Sequence, residues 1–181
     1  MKRILITGSP GVGKTTLIKK IAEKLISEGI TCKGFYTEEI RQNNSRIGFD
    51  IVTLAGNRAP LARKSSSTSD ERLPRVGQYV VYINEFEKLA LPVVGDTSSN
   101  GLLVIDEIGK MELFSKKFKT AVTTVMKTRN LNVMATVPEK SNILLITQLK
   151  EDKDIELITV TPTNRNSLEE VLLQKLISKD N

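Results

Sequence analysis

The 181-residue chain has no histidine, no tryptophan, a single cysteine and only 4% aromatic residues. Without histidine the commonest general base and the commonest transition-metal ligand are missing, and every histidine-dependent triad is excluded. One cysteine excludes an intrachain disulfide and a multi-cysteine zinc site; Cys32, inside "TCKGFYT", reads as a small core residue of a strand. No run reaches the roughly 18 apolar residues that suggest a membrane span. "RILIT" begins at Arg3 and leaves no room for a signal or transit peptide, so a soluble, cytoplasmic protein without membrane contact is expected. Any catalysis must use carboxylates, Lys, Arg, hydroxyls, backbone N–H groups or a hard oxygen-bound cation.

The remainder is ordinary globular composition, 39% hydrophobic and 27% charged, in a length that suits one domain across 1–181, read as a monomer. A net charge of +6 is spread along the chain rather than gathered into a stripe. With few aromatics to stack on bases, the footprint for nucleic acid is weak, and a small polyanion such as a nucleotide fits the charge equally well.

"KRILIT" (2–7) is an apolar run with β-branched members, followed by a glycine-rich turn. Leu17, Ile18, Ile21, Ala22, Leu25 and Ile26 then repeat at helical spacing until Gly29. "ITCKGFYT" (30–37) reads as a second strand, completing a parallel βαβ unit with a right-handed crossover. Residues 38–83 change character: "RIGFDIVTL" and "QYVVYI" read as antiparallel strands, "NNS" and "AGN" as turns, and 64–74 as a mobile loop. "NEFEKLALPV" (84–93) is helix-like, and "LLVID" (102–106) follows a polar loop. Phe114, Phe118, Ala121, Val122, Val125 and Met126 share one helical face. "NVMATV" and "IELITVT" read as strands, "SNILLITQLK" and "NSLEEVLLQKLI" as helices, the last with Asn166 or Ser167 as cap and Glu169 or Glu170 placed for a capping box. The fold class is α/β: a three-layer fold with a mainly parallel central sheet and an inserted antiparallel region.

Gly8-Ser9-Pro10-Gly11-Val12-Gly13-Lys14-Thr15 satisfies G-x-x-x-x-G-K-[ST] after a strand and at the opening of a helix. Glycines permit close backbone approach, so successive N–H groups converge on phosphate oxygens at the positive helix end. Lys14 then supplies a point charge to the β and γ phosphates, Thr15 a hydroxyl ligand for Mg²⁺, and Thr16 a contact to the α phosphate. "LLVIDE" is long enough for a central parallel strand and ends in Asp106 and Glu107 at the edge where ligands of such sheets sit. The pair reads as Asp106 holding Mg²⁺, directly or through water, with Glu107 orienting or deprotonating an attacking water.

"GSPGVGKTTL" (8–17), "GFYTEEIR" (34–41), "RIGFDIVTLAG" (46–56), "DEIGKMELFS" (106–115) and "VTPTNRNSL" (160–168) together resemble the cancer-related nucleoside-triphosphatase family, small P-loop proteins also known from thermophilic bacteria and archaea. The resemblance covers nearly the whole chain. It implies a Mg²⁺-dependent nucleoside triphosphate phosphohydrolase of broad base tolerance acting on ATP, GTP, CTP and UTP. It also implies nucleotide contacts at Gly8 to Thr15 and along Leu102, Leu103, Val104, Ile105, Asp106, Glu107, Ile108 and Gly109. Spacing alone does not separate this hydrolase from a small kinase with 34–83 as acceptor region, or from a nucleotide-dependent nucleic-acid-binding module.

Further candidates each have a plainer structural explanation. Gly109 offers either a backbone N–H for the γ phosphate or simple turn geometry. Lys110 and Glu112 either join the site or stand as a solvated pair opening a helix. Thr136 is a γ-phosphate sensor or an ordinary β-branched strand residue. Asn164 and Arg165 face either base and ribose or their own turn. Arg41, Arg46, Arg63 and Arg75, in or beside the inserted strands, are the candidates for an arginine finger.

Overall fold

The computed structural model describes residues 2–64, 72–96, 101–128 and 131–177. Its strands are β1 (Arg3–Thr7), β2 (Cys32–Gln42), β3 (Ser45–Thr53), β4 (Arg58–Lys64), β5 (Arg75–Val76), β6 (Tyr79–Val81), β7 (Leu102–Ile105), β8 (Asn132–Thr136) and β9 (Glu156–Thr159). Its helices are α1 (Lys14–Ser27), α2 (Ile83–Gly95), α3 (Lys116–Lys127), α4 (Leu144–Glu151) and α5 (Leu168–Ile177). Among the described residues no helix is long and apolar enough to cross a membrane.

All nine strands form one sheet in the order β5-β6-β4-β3-β2-β7-β8-β1-β9. The half from β2 to β9 is parallel, and the half from β2 to β5 is antiparallel, so β2 belongs to both. The inner parallel strands β1, β7 and β8 are covered on both faces, while β9 forms an exposed edge. Strand alternation sends Ile4, Ile6, Leu102, Val104 and Met134 towards α1 and α5, and Leu5, Leu103, Ile105, Val133 and Ala135 towards α2, α3 and α4. The three-layer α/β expectation therefore holds.

The expected β1-α1-β2 unit is parallel, but its strands are not neighbours: β7 and β8 lie between them. The runs "LLVI" and "NVMAT" are buried almost throughout and suit the doubly covered centre, whereas β2 carries charged residues along its outer half. That outer half pairs with β3 through a hairpin turned at Asn43 and Asn44, both at positive φ (48° and 61°). The stretch at 64–74, expected as a mobile loop, falls largely outside the described residues.

Helix α1 buries the predicted stripe from Leu17 to Leu25, but Ile26, expected on it, is exposed; the helix closes through Ile30 N–H to the Leu25 carbonyl (2.9 Å) and Gly29 N–H to Ile26 (3.0 Å), the paired bonds of a Schellman end. Phe114 does not share the α3 helix as expected; it ends a 3₁₀ turn at Glu112–Phe114. Ser115, in extended conformation, interposes itself as the α3 cap, accepting from Phe118 N–H (2.9 Å) and donating to Glu87 (2.7 Å). At α5 the Ser167 hydroxyl donates to the Asn164 carbonyl (3.0 Å), and Glu169 lies 3.7 Å from Lys20. Cys32 packs half-buried against the core, which pushes its thiol up to about 11 and leaves it unreactive.

Phe35, Phe86 and Phe118 form an aromatic cluster between β2, α2 and α3, with centroids 5.0 to 5.8 Å apart; Phe86 meets both others edge-to-face, and Phe35 and Phe118 are tilted at 57°. Truncating a fully buried ring here, Phe118→Ala, is expected to cost roughly 3–5 kcal/mol of unfolding free energy, read from urea denaturation midpoints.

Candidate active site

β1 delivers its last residue, Thr7, to a loop that returns directly into α1. An added Cβ at Gly8 would stand 2.5 Å from the Val160 carbonyl, next to the Val160 N–H that donates to Thr7 (2.8 Å); no larger residue fits. Gly11 and Gly13 sit at φ 75° and 113°. The first-turn amides of α1 have no intrahelical acceptor, and neither a side-chain cap nor an acidic residue answers them. The helix start is therefore left with unpaired N–H dipoles and the positive end of the macrodipole, while Val12 N–H inside the loop donates to the Ser9 carbonyl (3.2 Å). Lys14 reaches back across the loop, donating to the carbonyls of Gly8 (2.9 Å) and Ser9 (3.3 Å).

β7 sets the opposing wall. Asp106 is 1% exposed; one carboxylate oxygen accepts the Thr136 hydroxyl, and the other, Oδ2, is buried without a hydrogen-bond partner. Burial pushes the Asp106 carboxyl above its usual range, opposed by the hydroxyls of Thr136 and Thr15 and by the Lys14 charge. Half-buried Glu107 is raised by burial and then by the Asp106 charge, against the pull of Lys14 and Lys150. An added Cβ at Gly109 would meet Glu107 Oε1 at 2.7 Å and Glu112 Oε2 at 2.8 Å, so both carboxylate tips converge over the bare glycine. Glu112 is 5% exposed rather than solvated, and burial together with the Glu107 charge pushes it up to about 8.

Three cavities surround the loop. One of about 550 Å³ lies beside Gly11, Gly13 and Thr16 and is walled by Lys20, Arg165, Asn166 and Glu169. A second, of about 450 Å³, is lined by Gly8, Pro10, Lys14 and Glu107, with Pro138, Glu139 and Lys140 across it. A third, of about 280 Å³, joins Thr15, Asp106, Glu107 and Glu112 to Phe49, Leu61 and Val76 of the antiparallel strands.

The expected contacts therefore divide. Gly8 to Gly13 form the loop and Lys14 to Thr16 the first turn of α1, and Asp106, Glu107 and Lys110 reach the adjoining cavities. Leu102, Leu103, Val104 and Ile105 do not: their side chains are buried in the cores on either face of β7, and Ile108 is buried likewise, so these residues support the acidic pair rather than line a cavity. The Thr136 hydroxyl is committed to Asp106. Asn164 is committed to its own turn, donating to the Thr159 carbonyl and accepting from Thr161 N–H, which leaves Arg165 beside the loop. Arg41 and Arg46 both pair with Glu39 at 2.7 Å, and Arg63 pairs with Asp50, while Arg75 is exposed. Lys20, Asn166 and Lys140 went unpredicted. Applied to β8, the rule that ligands sit at the carboxyl ends of parallel strands would have pointed to Lys140.

A glycine loop between a parallel strand and an open helix end, facing a buried acid at a neighbouring strand end, defines a nucleotide-binding α/β protein. Residues 3–173 match the sequence profile of the NTPase family, and the chain belongs to that family. It is 47% identical to the human cancer-related nucleoside-triphosphatase over 175 residues, 92% of each chain. The solution structure of a human cancer-related nucleoside triphosphatase superposes with a TM-score of 0.85 at 43% identity, covering 100% of both chains. The crystal structure of THEP1 from Aquifex aeolicus does so with a TM-score of 0.85 at 40% identity, covering 98% of this chain and 100% of that one. The protein is thus a nucleoside-triphosphate hydrolase.

The raised Glu112 has a consequence for stability. In the unfolded chain it ionises above its ordinary 4.5, whereas the native state holds the proton to about 8. The native state then binds more protons between those limits, so this group makes stability fall as pH rises through that window and level off above it. Glu112→Gln is expected to match the native protein near pH 5 and to exceed it at pH 8 by on the order of a few kcal/mol, read from urea midpoints across pH 5–8.5.

Proposed function

We propose that the protein hydrolyses nucleoside 5′-triphosphates to the diphosphate and inorganic phosphate in a Mg²⁺-dependent reaction of broad base tolerance. The observation that carries this reading is the cavity in which Lys14 and Glu107 face the same space beside the phosphate loop.

The residues present suit a hard divalent cation. Asp106 offers a buried carboxylate oxygen, Oδ2, that accepts no hydrogen bond, and Thr15 a hydroxyl on the same cavity. Among the described residues no cluster of three or more His, Cys, Asp or Glu side chains forms a metal cage. Mg²⁺ is held in this sparse way in nucleotide enzymes, with phosphate oxygens and waters completing its shell. When bound, it neutralises charge on the β and γ oxygens.

The chain's own groups do the rest. The loop amides and the end of α1 hold the phosphates, and Lys14 adds its charge where the leaving oxygen develops. Glu107 positions a water and takes its proton as the water oxygen bonds to the γ phosphorus and the bond to the β-phosphate oxygen breaks. Base tolerance is supported by the walls of the cavity beside Thr16. Lys20 and Glu169 pair with each other (3.7 Å), and a guanidinium face such as that of Arg165 stacks on any base.

Lys14→Ala and Glu107→Gln are each expected to lower kcat by at least about 10² to 10³, with Glu107→Gln retaining nucleotide affinity. Phosphate release from ATP, GTP, CTP and UTP without any acceptor, and its loss on chelation, is the measurement. A Glu107→Gln protein turning over at the native rate removes Glu107 from the mechanism.

A further inference from the structure

A hydrolase of this kind gains about 10³ to 10⁵ in rate from a second cation on the γ phosphate, commonly an arginine. The inserted strands carry several arginines, but most are occupied: Arg41 and Arg46 by Glu39, Arg58 by Glu38 and Asp50, Arg63 by Asp50. Asp50 is itself buried, so its two guanidinium partners cannot leave without stranding a charge. Arg75 is exposed and lines none of the three cavities around the loop, so a cation is sought elsewhere.

A lysine after β8 stands in the right cavity. The chain leaves Thr136, turns at Pro138 and Glu139, and brings Lys140 to the cavity that also holds Lys14 and Glu107. Among the described residues Lys140 has no hydrogen-bond or ion-pair partner, and it is exposed to that space. The turn that carries it is anchored on both sides. Val137 N–H donates to the Ile6 carbonyl (2.9 Å), and the Lys150 ammonium of α4 donates to the carbonyls of Pro138 (2.7 Å) and Glu139 (2.8 Å). Two lysines thus serve different ends: one clamps the backbone of a turn, and the next charge along is left free at its tip.

We propose that Lys140 is a catalytic cation supplied in cis, contacting the γ-phosphate oxygens across the cavity from Lys14, and that Lys150 is the positioning residue that aims it. The inference rests on the hydrolytic reading above and adds to it the group that takes up transition-state charge on this side of the site. A lysine suits the position, because a compact ammonium on a flexible stem reaches a phosphate as a point charge without the fork geometry an arginine requires.

The test is steady-state phosphate release and nucleotide binding by the full chain with Mg²⁺. Lys140→Ala is expected to lower kcat by about 10² to 10³ while KM and ADP affinity stay within about threefold, and to weaken binding of ADP with aluminium fluoride in parallel with kcat. Lys140→Arg should retain kcat to within about tenfold. Lys150→Ala should lower kcat in the native background but add little in the Lys140→Ala background, as expected of residues that act as a unit. Native-like kcat in Lys140→Ala, or unchanged binding of the transition-state analogue, overturns the assignment. Equal losses from Lys150→Ala in both backgrounds overturn the positioning role. Glu107→Gln run alongside separates the two levels: if it too is native-like, the hydrolytic site itself is misread; if it alone collapses, only Lys140 is.

Discussion

Everything at the site depends on the hydrogen bonding of one strand end. β8 lies between β7 and β1, in parallel register with both, pairing Ala135 with Ile105 and Thr136 with Ile6. The Thr136 hydroxyl binds Asp106, its carbonyl accepts the Ile108 N–H (2.9 Å), and the next amide, Val137, donates to Ile6 (2.9 Å). The glycine loop after β1, the acidic pair after β7 and the lysine turn after β8 therefore emerge at one level of the sheet. Slipping β8 by one residue would turn its side chains to the opposite face and take the hydroxyl away from Asp106. A buried carboxylate that loses a hydrogen-bond partner is costly, so the register and the acid stabilise each other.

The antiparallel half of the sheet contributes in a different way. β2 joins β7 over Cys32–Phe35 and then runs on as one arm of a hairpin, which extends the sheet away from the loops. Its charges neutralise one another: Arg58 bridges Glu38 and Asp50, and Arg63 completes the pairing of Asp50. With those groups mutually engaged, the wall turned to the acidic pair is Thr37 together with Phe49, Leu61 and Val76, a mostly apolar surface that lowers the local dielectric beside Asp106 and Glu112.

Much of this was legible in the residues. The glycine loop has a spelling because backbone geometry demands it, and "LLVIDE" announces a covered strand with acids at its end. The α1 stripe was equally plain, since helical spacing is a local property. What stayed hidden is non-local. Nothing in residues 2–37 says that two strands from beyond residue 100 will intervene between β1 and β2. Glu112 reads as a polar residue at a helix entrance, and only the path of the 106–115 turn folds it inward over Gly109. Leu102 to Ile105 adjoin the acidic pair in sequence, yet strand alternation under two helical layers sends them into the cores. Lys140 belongs to no motif; it matters only because β8 ends beside β1 and β7.

The folded-back posture of Lys14 also bears on the repeated working of the site. An ammonium has three donors, and two are engaged with the carbonyls of Gly8 and Ser9, which leaves one pointing outward. The lysine can take hold of a phosphate oxygen without letting go of its own backbone. On the proposed reading it is a latch shared by protein and ligand: an arriving nucleotide would meet a loop already curved, and a departing product would leave it curved. The ordering entropy of that loop is spent once, when the chain folds, rather than at each turnover.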